Sequence, residues 1–303
     1  YKYFTFSSVK LYTINQCNLV KCTNKFKLFR KKLLTLNLNE ILTSILFGLL
    51  QGILEWIPVS SQGVITLIYT GFYNKPFNES VEYAIWLHIG TSLSVLIYMR
   101  KDFLQIIKSI PYRSNKNSSL SLLPFFIISS STSAIIGIPI FYLITNINTG
   151  SSVLIMGLIG IFMMITGLLQ FRKTSINIRG LDKLNKFDYI IAGISQGLSI
   201  IPGLSRSGLT ISALLIRRID KKEAIYLSLI MSLPATLGFA LIIGLKDGLI
   251  FSPMYLISAL IACITGIITI KTMLSIVKKI NFSQFVFFIG LIIFISSIVE
   301  III

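Results

Sequence analysis

The stretch QGLSIIPGLSRSG, residues 196–208, places a fixed positive charge and three serines between two apolar runs, with a proline and a glycine near its centre. Pro202 and Gly203 are expected to break a helix here, because proline lacks a backbone N–H and glycine tolerates turn conformations. Each flanking piece has about 14 residues, or about 21 Å of helix, whereas the hydrocarbon core of a bilayer is about 30 Å thick. Residues 187–217 are therefore predicted to enter the membrane and return as a re-entrant helical hairpin.

The composition of the whole chain indicates a multi-spanning membrane protein. Hydrophobic residues make up 54% of the 303 positions and charged residues 13%, a profile typical of polytopic membrane proteins. Six apolar stretches approach the length of about 20 residues that a spanning helix needs. They lie at about 83–99, 122–146, 151–171, 223–246, 253–272 and 282–303. The predicted fold class is an all-α polytopic membrane protein with about six transmembrane helices.

The net charge of +17 is explained by the loops between these stretches. Lys and Arg gather near residues 100–116, 172–186, 217–222 and 271–279. Such clusters mark cytoplasmic loops, because Lys and Arg resist translocation across the membrane. Two of the clusters flank the hairpin at 187–217, which puts both of its ends on the cytoplasmic side. The same distribution argues against a nucleic-acid partner.

A second broken stretch, QGILEWIPVSSQG at residues 51–63, shares with the first its initial Gln-Gly, a central proline and a pair of serines. Its hairpin, residues 39–73, breaks at Pro58 and leads into an acidic loop typical of the outside face, so it enters from the opposite side. Broken helices of opposite orientation are typical of inverted-topology repeats, which meet near the bilayer midplane. Residues 39–303 are predicted to form one membrane domain. The basic tail, residues 1–38, is the exception to the charge rule, since this topology leaves it outside, and the sequence leaves its order open.

The broken stretch at residues 51–63 carries a candidate metal site. Gln51 and Glu55 are four residues apart, hence on one helix face just before the break at Pro58. A carboxylate at the negative end of a helix dipole favours a bound cation, and oxygen ligands suit Mg²⁺ or Ca²⁺. The pair therefore predicts a divalent metal site. The plainer alternative is a glutamate that faces a water-filled crevice and bonds to Trp56 or the nearby serines.

The broken stretch at residues 196–208 carries a candidate anion site. Gly203 permits a turn, and Ser205 or Ser207 can cap the returning helix, whose first amide groups are positive. Arg206 offers a fork of donors that complements phosphate oxygens, and Thr210 lies one turn further on the same face. In the alternative, the serines only cap a helix and the arginine snorkels to the surface. Together, the two broken stretches predict a site for a metal-bound phosphate or diphosphate.

Over residues 39–303 the chain resembles the membrane undecaprenyl-diphosphate phosphatases, the bacitracin-resistance proteins. The resemblance rests on QGILEWIPVSSQG (51–63) and PGLSRSGLT (202–210), with weaker echoes in LHIGTSLSV (87–95) and LSLIMSLPATLG (227–238). It implies hydrolysis of a polyprenyl diphosphate lipid to the monophosphate and phosphate, with a divalent metal, at the outer face of the plasma membrane. Such an enzyme recycles the lipid carrier of cell-wall glycan synthesis and confers bacitracin resistance.

The resemblance also implies roles for individual residues, by their position in the two motifs. It implies three catalytic residues, namely Glu55, Arg206 and Ser61, the last as nucleophile or phosphate ligand. Gln51 and Glu55 would hold the metal or a water, and diphosphate binding falls to Ser60, Gly203, Ser205, Ser207 and Thr210. Many relatives have a histidine directly after the glycine of the first motif, where this chain has Val64. The only histidine, His88, either faces the site and takes over proton transfer or serves helix packing.

Other classes of function compete with this interpretation. A polyprenyl-phosphate or organic-anion transporter could use the same inverted repeats and the same anion site. A histidine-dependent lipid phosphatase is excluded, because it needs two catalytic histidines and Ser212 stands where one of them is required. A membrane scaffold leaves Glu55 and Arg206 at membrane depth without a reason. The sequence also leaves open a homodimer, the isoprenoid length, and the choice between Ser61 and water as nucleophile.

Overall fold

The described parts of the chain fold almost entirely into helices. The computed structural model describes residues 37–108, 122–146, 152–170, 178–247, 252–280 and 282–302, so most of the predicted N-terminal tail lies outside the described residues. Within these ranges there is no β-strand, and one isolated bridge pairs Arg179 with Ile219. The α-helices of the described ranges are α1 (Leu38–Leu54), α2 (Ser61–Gly71), α3 (Phe77–Tyr98), α4 (Arg100–Lys108), α5 (Leu122–Thr145), α6 (Ser152–Gln170), α7 (Lys186–Leu198), α8 (Arg206–Ile216), α9 (Lys221–Asp247), α10 (Pro253–Lys279) and α11 (Ser283–Ile302).

Each of the six predicted apolar stretches forms a long helix, namely α3, α5, α6, α9, α10 and α11. Four of these segments are long and apolar enough to cross a membrane: Phe77–Tyr98, Leu122–Thr145, Val153–Gln170 and Pro253–Ile276. The chain is therefore an all-helical polytopic membrane protein, as predicted, while the count of six spans stays a prediction.

Two helical segments differ from the prediction because hydropathy alone does not mark them. Helix α3 begins at Phe77 rather than near residue 83, since its first turn is polar and contains Glu79. The basic cluster near residues 100–116 predicts a loop, whereas the structure has helix α4 at Arg100–Lys108. Its apolar residues share one face, and two of them, Phe103 and Ile106, are buried. A short charged helix of this kind is amphipathic and has no long apolar run.

Two pairs of short helices are interrupted at the predicted prolines. Helix α1 ends at Leu54 and α2 begins at Ser61; α7 ends at Leu198 and α8 begins at Arg206. The residue before each returning helix is a serine whose hydroxyl caps it: Ser60 Oγ accepts the N–H of Gly63, and Ser205 Oγ accepts the N–H of Gly208. Both returning helices therefore start at a fixed residue beside the break.

Glycines let the first helix of each pair lie directly on a neighbouring backbone. A Cβ on Gly48 of α1 would sit 2.7 Å from the carbonyl oxygen of Ser258 in α10. On α7, a Cβ on Gly193 would sit 2.6 Å from the carbonyl oxygen of Ser129 in α5. Small residues at membrane helix contacts permit this close approach. Helices α1 and α7 are thus packed in equivalent ways, α1 on α10 and α7 on α5.

Candidate active site

The two helix breaks contact each other in the interior of the protein. The N–H of Gly203 donates to Ser60 Oγ at 3.2 Å, and Gln62 Nε2 donates to the carbonyl oxygen of Ile200 at 3.1 Å. Gly63 approaches so closely that a Cβ there would lie 2.9 Å from Gly203 N. Gly203 itself has φ +98°, a conformation that glycine adopts at no steric cost. The predicted meeting of the two broken stretches is present.

Glu55 is the centre of the polar contacts at this junction. It is 7% exposed, and its Oε1 contacts Nη2 of Arg206. Its Oε2 accepts hydrogen bonds from Gln51 Nε2 and from Ser61 Oγ, each at 2.9 Å. His88 Nε2 lies 3.3 Å from the same oxygen. The sequence predicts a ligand between Glu55 and Arg206, whereas in the structure the two side chains form a direct ion pair.

His88 belongs to the site and also bonds to its own helix. Its Nδ1 lies 2.8 Å from the carbonyl oxygen of Ala84. A carbonyl only accepts, so Nδ1 donates this hydrogen bond, and Nε2 is left facing Glu55. The ring is therefore anchored on α3 and points at the carboxylate, while its part in proton transfer stays a prediction.

Helix α6 holds both breaks in place through two side chains one turn apart. Gln170 Nε2 donates to the carbonyl oxygen of Pro58 at 2.8 Å, which satisfies a backbone group of the first break. Thr166 Oγ1 donates to the carbonyl oxygen of Gly203 at 3.4 Å and accepts the N–H of Ser205 at 3.3 Å. Buried backbone groups at a helix break need such partners.

A cavity opens beside this junction. Its polar lining comes from both breaks and from α3, α5, α7 and α9: Glu55, Ser60, Ser61, Gln62, His88, Ser133, Gln196, Ser199, Ser205, Arg206, Ser207 and Thr236. Three buried polar atoms of the site, Gln51 Oε1, Gln196 Oε1 and Arg206 Nε, have no hydrogen-bond partner among the described residues. Unpaired buried polar atoms are costly. Gln196 and Arg206 line the cavity and so offer an acceptor and a cationic donor to a ligand, whereas Gln51 does not line it.

Three of the predicted site residues lie behind the cavity wall rather than in it. Gln51 is fully buried and donates to Glu55. Gly203 forms the turn and bonds to Ser60. Thr210 is fully buried, and its Oγ1 donates to the carbonyl oxygen of Arg206 at 2.8 Å. The assignment of Thr210 and Gly203 to direct diphosphate contact therefore does not fit the geometry, because both instead support residues that do line the cavity.

Several residues that line the cavity are not marked as site residues by any motif in the sequence. Ser133, Gln196, Ser199 and Thr236 all line the cavity. Gln196 begins the second broken stretch at the position equivalent to Gln51, so the internal repeat was a usable signal for it. Ser133 and Thr236 stand in apolar spans, where a hydroxyl usually bonds within its own helix, and nothing in the sequence separates them from other such hydroxyls.

The oxygen donors of the site meet the needs of a divalent cation only in part. The described residues contain no group of three His, Cys, Asp or Glu side chains that could hold a metal. Glu55 and Gln51 nonetheless lie next to each other and both carry oxygen ligands, although the contact between them is made by Gln51 Nε2 and leaves Oε1 unpaired. This set fits Mg²⁺, which commonly takes one or two protein oxygens and fills its other positions with waters and substrate phosphates. It does not fit a site built from protein ligands alone.

Helices of membrane-spanning length around a buried carboxylate–guanidinium pair define a class of integral membrane protein with a polar site in its interior. Residues 44–294 match the family described as bacitracin resistance protein BacA. The undecaprenyl-diphosphatase of Methanococcoides burtonii is 34% identical over 80% of this chain and 92% of its own length. Those of Haloarcula marismortui and Methanopyrus kandleri are 33% and 32% identical, over 81% and 83% of this chain and 93% and 94% of their own lengths. The chain belongs to the BacA family.

Proposed function

We propose that this protein hydrolyses undecaprenyl diphosphate to undecaprenyl monophosphate and inorganic phosphate. The observation that carries the proposal is the contact between Glu55 and Arg206 inside a cavity where Ser61 is hydrogen-bonded to the same glutamate. The names of the relatives, which are undecaprenyl-diphosphatases, support the same activity and do not favour a transporter. Release of this lipid carrier for cell-wall glycan synthesis, and bacitracin resistance, follow from it.

Arg206 and the start of α8 bind the diphosphate. Arginine presents several donors in a plane that matches phosphate oxygens, and Nε of Arg206 is buried and unpaired within the described residues. Helix α8 begins at Arg206, so its positive end faces the cavity. The incoming phosphate displaces Glu55 as the partner of the guanidinium. The same space is lined by Ser60, Ser205 and Ser207, which limit the position of the phosphate.

Ser61 is the proposed nucleophile and Glu55 its base. Ser61 Oγ already donates to Glu55 Oε2, the arrangement expected of an activated hydroxyl. Its oxygen forms a bond to the terminal phosphorus while the bond to the bridging oxygen breaks. The electron pair leaves with undecaprenyl monophosphate, and the hydroxyl proton passes to Glu55. Water then attacks the phosphoserine, which releases phosphate and restores Ser61, while Arg206 stabilises the charge on the transferred group.

A divalent cation completes the proposed site. Gln51 Oε1 and Glu55 would hold Mg²⁺ or Ca²⁺ together with the diphosphate. Such an ion supplies charge neutralisation on the phosphate oxygens. The amide nitrogen of Gln51, not its oxygen, donates to Glu55 in the structure, so the amide would turn over to present Oε1 to the ion.

The membrane arrangement is part of the proposal. Helices α2 and α8 have 11 residues each, or about 17 Å, well below the bilayer core of about 30 Å. This length supports two re-entrant hairpins that enter from opposite leaflets, with six spans around them. Basic loops on one side support an active site that faces the outer side of the plasma membrane. A homodimer remains a prediction.

The activity is tested by measuring phosphate release from undecaprenyl diphosphate by the purified protein in detergent. Wild type should release phosphate and form a transient phosphoserine when the terminal phosphate is radiolabelled. Ser61→Ala should do neither, whereas Ser275→Ala, which removes an exposed hydroxyl on α10, should match wild type. Movement of the lipid in vesicles without phosphate release would instead support a carrier. Wild-type rates in Ser61→Ala would exclude Ser61 as the nucleophile.

A further inference from the structure

We propose that a groove between α5 and α9 binds the polyprenyl chain of the substrate next to its headgroup, an inference that rests on the proposed function. The groove has a volume of about 310 Å³ and is lined by Ser130, Ser131, Ala134, Ile138, Pro234, Ala235, Gly238, Phe239 and Ile242. None of these residues is charged, so the groove suits a hydrocarbon chain and not a headgroup or an ion.

The groove is continuous with the active-site cavity. Ala235 and Phe239 line both spaces, and Thr236, between them in sequence, lines the cavity. On the facing helix, Ser133 lines the cavity and its neighbour Ala134 lines the groove. A lipid with its diphosphate at Arg206 therefore has an apolar path directly beside it. This continuity identifies the occupant as the chain of the substrate rather than an unrelated lipid.

A comparison of two helix pairs shows that the opening is specific to this side. Helix α3 follows the first broken pair and packs on α10, and helix α9 follows the second and packs on α5. In the α3–α10 contact, a Cβ on Gly90 would lie 2.1 Å from the carbonyl oxygen of Ala259. On α9, a Cβ on Gly238 would meet no atom within 4 Å. The α3–α10 pair is therefore in contact backbone to backbone, whereas the α9–α5 pair leaves space at Gly238.

Small side chains keep this space free. Ala134 on α5 faces Ala235 and Gly238 on α9 across the groove. Phe239 forms the wall between groove and cavity, and its ring packs against Phe141 with centroids 5.7 Å apart. Since the walls are held by such contacts, a larger residue at Gly238 would fill the groove without displacing its neighbours. Filling it should remove chain binding and leave the headgroup site intact.

The test compares two ligands that differ only in their chain. Undecaprenyl diphosphate is used as substrate in mixed micelles, and isopentenyl diphosphate, with one isoprene unit, is used as a competing ligand. In Gly238→Phe the KM for undecaprenyl diphosphate should rise about tenfold, equivalent to about 1.4 kcal/mol, while the inhibition constant of isopentenyl diphosphate stays unchanged. Gly71→Phe, at another open glycine where only Met156 comes within 4 Å of an added Cβ, should change neither.

A second variant guards against a folding effect at Gly238. Ala134→Phe narrows the groove from α5 and should reproduce the same selective rise in KM. Two results would show that the groove does not bind the chain. One is an equal loss of affinity for undecaprenyl diphosphate and isopentenyl diphosphate. The other is an unchanged KM in both variants, which is the result expected if bulk phospholipid fills the groove. The proposed function fails separately, and recognisably, if wild type releases no phosphate from undecaprenyl diphosphate.

Discussion

The hydroxyl of Ser60 accepts hydrogen bonds from two backbone amides, Gly63 N–H at 3.1 Å and Gly203 N–H at 3.2 Å. One side chain thus caps α2 and ties the second helix break to the first. Ser60→Ala should cost about 1 kcal/mol for the cap and about 1–3 kcal/mol for the buried Gly203 amide left unpaired. Thermal unfolding in detergent measures this. Ser252→Ala is the control, because Ser252 precedes α10 without a side-chain cap bond; equal stability losses in the two variants would contradict the account.

His88 is predicted to act by positioning Glu55. Its Nε2 lies 3.3 Å from Glu55 Oε2, and its Nδ1 bonds to the Ala84 carbonyl. His88→Phe keeps the ring volume but removes the polar contact, so kcat should fall about tenfold or more. His88→Gln can still donate to Glu55 and should recover most of the rate. Phosphate release by the two variants checks this, and wild-type kcat in His88→Phe would refute a role for the imidazole.

Asp188 anchors the loop that precedes the second broken pair and is predicted to make stability pH-dependent. Burial alone raises the pKa of Asp188, but hydrogen bonds from Arg179 and Arg217 and from the Asn185 backbone outweigh it and hold this pKa below its usual value. The stabilisation is therefore complete above about pH 4, the ordinary aspartate value, and is lost as the pH falls through the lower folded-state pKa.

Asp188→Asn tests this contribution at neutral pH. Loss of the Asp188 carboxylate should lower the free energy of unfolding by roughly 2–3 kcal/mol. This is less than the loss expected for a fully buried ion pair, because both guanidinium groups are partly exposed. The variant should also lose part of the acid sensitivity of its unfolding midpoint. Asp182→Asn, which alters an exposed carboxylate in the same loop, should leave the midpoint unchanged. An Asp188→Asn protein as stable as wild type at pH 7 would refute the network.

Much of the fold follows from local sequence. The six long helices were predictable because each is an apolar run, and the two breaks because Pro58, Pro202 and Gly203 interrupt such runs. Helix α4 was not predictable in this way, since four of its nine residues are charged and its apolar face becomes visible only at helical spacing. Hydropathy detects average polarity, whereas α4 is defined by the arrangement of its residues.

The sequence predicts which residues belong to the candidate site, but not which of them contact each other. Gln51, Glu55, Ser61 and Arg206 stand out because polar residues in apolar runs are rarely incidental. The direct ion pair between Glu55 and Arg206 joins residues 151 positions apart, and no local pattern reports a tertiary distance. The supports from α6, Thr166 and Gln170, were missed because a threonine and a glutamine near the end of a span resemble ordinary packing residues.

The most direct test of a single site built from both helix breaks is a double-mutant cycle on Glu55 and Arg206, read as kcat/KM for phosphate release from undecaprenyl diphosphate. Glu55→Gln and Arg206→Gln should each lower it about 10³-fold, with Glu79→Gln and Arg100→Gln, which alter charges outside the cavity lining, as controls at wild-type rates. The kcat/KM of the double variant should be no more than about threefold below that of the more impaired single variant. The effects of residues that act as a unit are not additive. Multiplying losses, or either single variant within tenfold of wild type, would contradict the account.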